Sequence, residues 1–219
     1  MIHLIDVEKH FNTDVGIRQV LRETRLSIPT DKRVGVLGRN GAGKSTLLNM
    51  VAGVDQPSSG MIVRENARLS WPLGYAGGFH GDLTARENIS FVARLYGVDY
   101  EKTFELTEDF AEIGSYVDMP VRTYSGGMKS RLAFGLSLAI KFDCYLIDET
   151  IGAGDRFFRA KSRQVFLEQS KGAGMLLVSH SEATIREYCE IALVLFDGVL
   201  VPFADIEDAI DFYMRRCAP

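Results

Sequence analysis

Gly38-Arg39-Asn40-Gly41-Ala42-Gly43-Lys44-Ser45 is the stretch on which the reading of this chain turns. It fits G-x-x-x-x-G-K-[ST]. It stands between an apolar run, 33–38, and a segment that carries Leu47, Leu48 and Val51 on one helical face. Glycines let backbone N–H groups crowd against phosphate oxygens without a side-chain clash, and a following helix offers its positive N-terminal end to an anion. Lys44 is then placed to reach β- and γ-phosphates, and the Ser45 hydroxyl to ligate Mg²⁺. The alternative is a glycine-rich turn that happens to precede a helix. The strand–loop–helix context favours a phosphate loop.

Downstream, Asp143-Cys144-Tyr145-Leu146-Ile147-Asp148-Glu149 is an apolar strand that ends in two carboxylates. Two acids after a strand more often open a solvated loop. With a phosphate loop upstream, Asp148 is placed to hold Mg²⁺ and Glu149 to polarise an attacking water. Tyr124-Ser125-Gly126-Gly127-Met128 puts a hydroxyl and glycines at the start of a helix, either as a plain N-cap or as a second anion site. Val178-Ser179-His180 ends another apolar strand, with an imidazole on the same sheet edge.

Around these motifs, apolar segments alternate with helical patterns, as in an α/β domain with a largely parallel sheet. Strands are predicted at 2–7, 26–29, 33–38, 61–63, 68–71, 144–148, 175–179 and 191–196. From about Leu83 to Ile140 the pattern is helical. Thr84 and Glu87 have capping-box spacing, opening a helix that runs through Tyr96 and stops at Gly97. Further helical spacing covers 103–113 and the stretch after Gly126. An α/β core, 1–79 and 141–219, interrupted by a helical subdomain, 80–140, is the expected organisation. The last helix, with Ile206, Ala209, Ile210 and Tyr213 on one face, is expected to pack on its own core.

The 219 residues are 46% hydrophobic and 25% charged, an ordinary globular composition. A net charge of -4 with no long basic block gives nucleic-acid binding no electrostatic support. The longest apolar run, 191–196, is far short of a membrane span, and the N-terminus lacks the pattern of a secretory signal. Cys144, Cys189 and Cys217 are odd in number and widely spaced, which argues against disulfides or a zinc site and for a reducing compartment. A cytoplasmic chain that reaches a membrane only through a partner is expected.

Taken in order, these motifs resemble the ABC-type ATPases: phosphate loop (Walker A), signature motif, Walker B with a following glutamate, D-loop and switch histidine. The resemblance implies a phosphate-loop NTPase of ABC type, with a RecA-like core, a small antiparallel β subdomain and the inserted α-helical subdomain. It implies ATP and Mg²⁺ as ligands and a head-to-tail dimer with two ATP molecules between protomers. Lys44, Glu149 and His180 would be the catalytic side chains. Gly38, Asn40, Gly41, Ala42, Gly43, Lys44, Ser45 and Thr46 would cradle the nucleotide, and Phe11 would stack on adenine, unless it is an ordinary packing aromatic. Ser125, Gly126 and Gly127 would meet the γ-phosphate held by the other protomer, and Asp155, in Gly152-Ala153-Gly154-Asp155, would link the two sites. Ser45, Asp148 and His80 would form the metal shell. His80 stands where the family usually has glutamine, and Met128 where the signature usually ends in glutamine.

Trp71-Pro72, Gly77-Gly78-Phe79, Leu83-Thr84-Ala85-Arg86-Glu87-Asn88 and Phe91-Val92-Ala93-Arg94-Leu95-Tyr96 narrow the resemblance to ATPase subunits of capsular polysaccharide exporters (the KpsT type). O-antigen and teichoic-acid exporters share part of this pattern, and a non-transport ABC ATPase is the remaining alternative. The implied partners are ATP, a second copy, an integral-membrane permease and a lipid-linked polysaccharide cargo, at the cytoplasmic face of the bacterial inner membrane.

Overall fold

A computed structural model describes residues 1–149 and 156–216. They fall into two compact units. The first comprises Met1–Pro72, Phe142–Glu149 and 172–216; the second comprises Leu73–Lys141 and 156–171.

In the first unit, β1 (Ile2–Thr13) and β2 (Gly16–Ile28) form a long hairpin, and β4 (Ser59–Arg64) pairs with the other edge of β1. This is the small antiparallel sheet, in the order β2-β1-β4. The six-stranded sheet has the order β5-β6-β7-β3-β8-β9, built from β3 (Arg33–Leu37), β5 (Leu69–Pro72), β6 (Cys144–Asp148), β7 (Gly174–Ser179), β8 (Ile191–Phe196) and β9 (Val199–Phe203). All its pairs are parallel except β8–β9. Its central strands are continuous apolar runs because both faces are covered. Ile2, Leu4, Val36, Leu47, Leu146 and Val178 meet in one buried core.

Helix α1 (Lys44–Ala52) turns Leu47, Leu48, Met50 and Val51 into this core, with Gly53 as its left-handed C-cap. Helix α6 (Ile206–Arg216) buries Ala209, Ile210 and Tyr213 against β8 and β9, as its apolar face requires. The register aligns Leu37 with Ser179, and Asp148 with Val178. The carboxyl ends of β3, β6 and β7 therefore share one edge, where parallel sheets bind their ligands.

In the second unit, α2 (Ala85–Tyr96) opens on a complete capping box. The Thr84 hydroxyl accepts from the Glu87 N–H at 3.1 Å, and the Glu87 carboxylate accepts from the Thr84 N–H at 2.8 Å. Gly97 ends the helix in the left-handed conformation. Helix α3 (Tyr100–Ala111) packs closely on α4 (Gly126–Ala139), because a Cβ on Gly135 would lie 3.1 Å from both the Thr107 carbonyl and the Phe110 ring. Phe110 stacks on Phe134 and meets the edge of Phe158, which comes from α5 (Arg156–Gln169). That contact places α5 with the helices, whereas the sequence groups it with the flanking core segment 141–219. Residues 73–79 also join the helical unit instead of ending the core.

The expected strands are present, with two differences. The hairpin reaches Thr13 and Gly16, well past the apolar stretches at 2–7 and 26–29. Strand β9 was not expected, and it pairs antiparallel to β8 across the Asp197-Gly198 turn.

Candidate functional site

The phosphate loop leaves β3 where it can tolerate no side chain. A Cβ on Gly38 would stand 2.9 Å from the Leu195 carbonyl oxygen. Gly43 has φ 105°, and a Cβ there would overlap the Val20 side chain at 2.2 Å. Gly43 is also the N-cap of α1 and caps it with no side-chain bond, so the helix presents uncapped N–H groups to the loop. Asn40, Gly41 and Ala42 form the outer turn, closed by the Ala42 N–H donating to the Arg39 carbonyl at 3.1 Å. Ser45 and Thr46 begin the helix beside Lys44.

Lys44 is 5% exposed and folds back onto the loop. Its Nζ donates to the carbonyls of Gly38 at 2.9 Å and Arg39 at 3.0 Å. Burial lowers its pKa, and the charges of Glu149 and Asp148 partly oppose that shift. The ammonium therefore sits within the field of both carboxylates at the end of β6.

Asp148 Oδ1 is buried and has no hydrogen-bond partner among the described residues. A buried carboxylate oxygen left unsatisfied calls for a cation or a water shell. With the Ser45 hydroxyl it supplies hard oxygen donors of the kind Mg²⁺ takes alongside substrate phosphates and water. These residues fit the metal. Among the described residues no group of three or more His, Cys, Asp or Glu side chains could hold one without such help.

Glu149 follows at φ 58°, and its N–H donates to the Val178 carbonyl at 2.8 Å. Its Oε1 lies 2.8 Å from Nδ1 of His180, which extends from the end of β7. An ionised carboxylate only accepts, so in this contact Nδ1 carries the proton. Phe11 projects from β1 with 41% of its surface exposed, and the Lys9 ammonium lies 4.8 Å from its ring centroid. Lys9 is in turn held by Asp55 and the Gln56 carbonyl, both at 2.8 Å.

The first unit thus brings together Lys44, Asp148, Glu149 and His180. Ser125, Gly126, Gly127 and His80 belong to the second unit. Ser125 is the N-cap of α4, accepting from the Met128 N–H at 3.2 Å. Among the described residues, a Cβ on Gly126 would meet nothing within 4 Å, and one on Gly127 only the Ser125 hydroxyl at 3.9 Å. The backbone of His80 is fixed by the buried Asn88, whose amide accepts from the His80 N–H at 2.9 Å and donates to the His80 carbonyl at 3.2 Å. Its imidazole is exposed. Asp155 and its glycine-rich loop lie outside the described residues. Sequence reasoning missed Asn88 and Arg18. The Arg18 guanidinium donates to the Gly41 carbonyl at 2.8 Å, a contact made by strand register that leaves no local pattern.

The family model described as ABC transporter matches residues 21–152. The chain belongs to the ABC transporter family. As an ABC ATPase it binds ATP and couples its hydrolysis to transport. It is 46% identical over 216 residues to the polysialic acid transport ATP-binding protein KpsT of Escherichia coli, covering 97% of this chain and 96% of that one. It is 44% identical over 213 residues to the capsule polysaccharide export ATP-binding protein CtrD of Neisseria meningitidis serogroup B, covering 97% and 98%. Among solved structures, a dimeric ATP-binding cassette in a post-hydrolysis state bound to ADP and Pi matches with a TM-score of 0.72. It covers 91% of this chain and 96% of that one at 23% identity, a likeness of fold. No helix of the described residues of this ABC ATPase is long and apolar enough to cross a membrane.

Proposed function

We propose that this chain is the ATPase subunit of an exporter that drives lipid-linked capsular polysaccharide across the bacterial inner membrane, working as a head-to-tail dimer on a membrane permease. Two features of the chain support this mechanism. Lys44, Asp148, Glu149 and His180 gather on one sheet edge. Ser125-Gly126-Gly127 opens a helix with glycines that no neighbour among the described residues requires. A second copy closing on that opening accounts for the bare glycines.

In this reading Lys44 leaves the Gly38 and Arg39 carbonyls for the β- and γ-phosphates, while backbone N–H groups of 40–46 hold the phosphate chain. Phe11 stacks on the adenine. Ser45 and Asp148 would hold Mg²⁺, with His80 assigned to its water shell, and when bound the metal would supply neutralisation of phosphate charge. Glu149 takes a proton from water as its oxygen bonds to the γ-phosphorus, the β–γ bridging bond breaks, and ADP leaves with the electron pair. His180 holds the Glu149 carboxylate in line and faces the γ-phosphate. Ser125 and Gly127 of the partner complete the phosphate's surroundings, and Asp155 relays closure between sites.

The cargo assignment is supported by the capsule-export relatives, which match nearly their whole length. Loss of the subunit in its native bacterium should abolish surface capsule, and wild-type protein but not Glu149→Gln should restore it. Intact capsule with loss of O-antigen or teichoic acid would reassign the cargo and keep the ATPase.

A further inference from the structure

We propose that Arg18 is a nucleotide-binding residue, gripping the ribose and α-phosphate of ATP from the open face of the β1–β2 hairpin. The proposal rests on the nucleotide reading above and adds a residue that no motif of the chain contains.

Three observations place it there. Phe11 and Arg18 are direct partners in the antiparallel register, so their side chains share a face of the hairpin. Arg18 Nη2 donates to the Gly41 carbonyl at 2.8 Å, which brings the guanidinium onto the outer turn of the phosphate loop. Two residues further along β2, Val20 fills the space over Gly43 that a Cβ would need. The phosphate loop therefore lies along β2 with Gly43 at Val20 and Gly41 at Arg18, and the exposed ring of Phe11 stands opposite. A nucleotide with its base on Phe11 and its terminal phosphates at Lys44 must carry its ribose and α-phosphate past Arg18.

The chemistry suits that position. A guanidinium has five N–H donors, and among the described residues this one makes a single hydrogen bond and no ion pair. Its side chain is exposed, and the carbonyl of Gly41 aims the fork while leaving donors for phosphate oxygen and a sugar hydroxyl. Lysine would keep the charge but lose the fork.

The test compares wild type, Arg18→Ala and Arg18→Lys as full chains. Calorimetric titration gives Kd for ATP and ADP, steady-state hydrolysis gives KM and kcat, and melting is followed without nucleotide. The expected result for Arg18→Ala is a loss of about tenfold or more in affinity for both nucleotides, with KM rising to match. Turnover should stay within about twofold, because a contact remote from the γ-phosphate contributes equally to ground and transition states. Arg18→Lys should recover only part of the loss, and melting should be unchanged. Affinity within about twofold of wild type in Arg18→Ala would overturn the assignment while leaving the nucleotide site in place. A loss of affinity that comes with lowered melting and is fully restored by lysine would make Arg18 a brace for the loop, and also overturns it. Failure of the wild type to bind ATP and ADP would overturn both readings.

Discussion

His180 Nδ1 stands 2.8 Å from Glu149 Oε1, and Glu149 itself is held in the left-handed region at φ 58° by its N–H bond to the Val178 carbonyl. A non-glycine residue there costs on the order of 1 kcal/mol. The conformation aims the carboxylate across to β7 instead of along its own strand, and the imidazole fixes it. His180→Ala should therefore lower kcat by about a hundredfold or more while leaving ATP affinity within about threefold. Parallel measurement of turnover and Kd checks this; a variant that loses binding instead would assign His180 to nucleotide affinity.

In the proposed mechanism Lys44 exchanges the Gly38 and Arg39 carbonyls for phosphate. Lys44→Met should fold, since the removed ammonium was paying a desolvation cost, yet it should lose the rise in melting temperature that ATP gives the wild type. The pH dependence has a definite sign. Burial holds the folded pKa below its ordinary value near 10.5, so below that value the native state binds fewer protons than the unfolded one. The penalty this imposes shrinks as pH rises from the folded pKa toward 10.5, and stability gains accordingly. Urea unfolding at a series of alkaline pH values should show this gain in wild type and its absence in Lys44→Met.

Asp148 carries a buried oxygen with no hydrogen-bond partner among the described residues. Asp148→Asn should leave the nucleotide-free protein about as stable as wild type, because the charge on a buried oxygen without a hydrogen bond is removed while some attraction to Lys44 is lost. Mg²⁺-dependent hydrolysis should fall by about a hundredfold or more in the same variant. Chelation of Mg²⁺ in wild type should stop turnover and leave measurable ADP binding.

The capping box at Thr84 fixes where α2 begins. Thr84→Ala should cost about 1 kcal/mol in chemical unfolding. The bonds from Thr84 hold the Glu87 carboxyl below its ordinary value of 4.5. Its contribution is full above 4.5 and is lost as pH falls through the lowered pKa. The variant's deficit should accordingly shrink in acid.

The residues explain which parts of this molecule the sequence announces. Buried parallel strands such as Arg33–Leu37 and Cys144–Asp148 are legible because both faces demand apolar residues. The far half of the β1–β2 hairpin is mostly exposed, so no hydrophobic alternation marks it, and its length comes from pairing. Strand β9 has a signal in Asp197-Gly198, a turn dipeptide between apolar runs. The phosphate loop and the acids after β6 are local motifs with local chemistry. Arg18 and Asn88 act on backbone carbonyls reached only after folding, and nothing in their neighbouring residues encodes that. Helix α5 joins the helical unit through Phe158, whose partner Phe110 lies 48 positions upstream.

The bare glycines after Ser125 make the central claim one of assembly: each chain is half of two ATP sites. The most direct measurement is the mass in solution of Glu149→Gln by light scattering on a sizing column, with and without saturating ATP and Mg²⁺, with bound nucleotide counted. The account predicts monomer without ATP, and with ATP a species of twice the mass carrying two nucleotides that Gly127→Asp abolishes without preventing ATP binding. A Glu149→Gln protein that binds ATP fully and stays monomeric, or a dimer indifferent to Gly127→Asp, would contradict it.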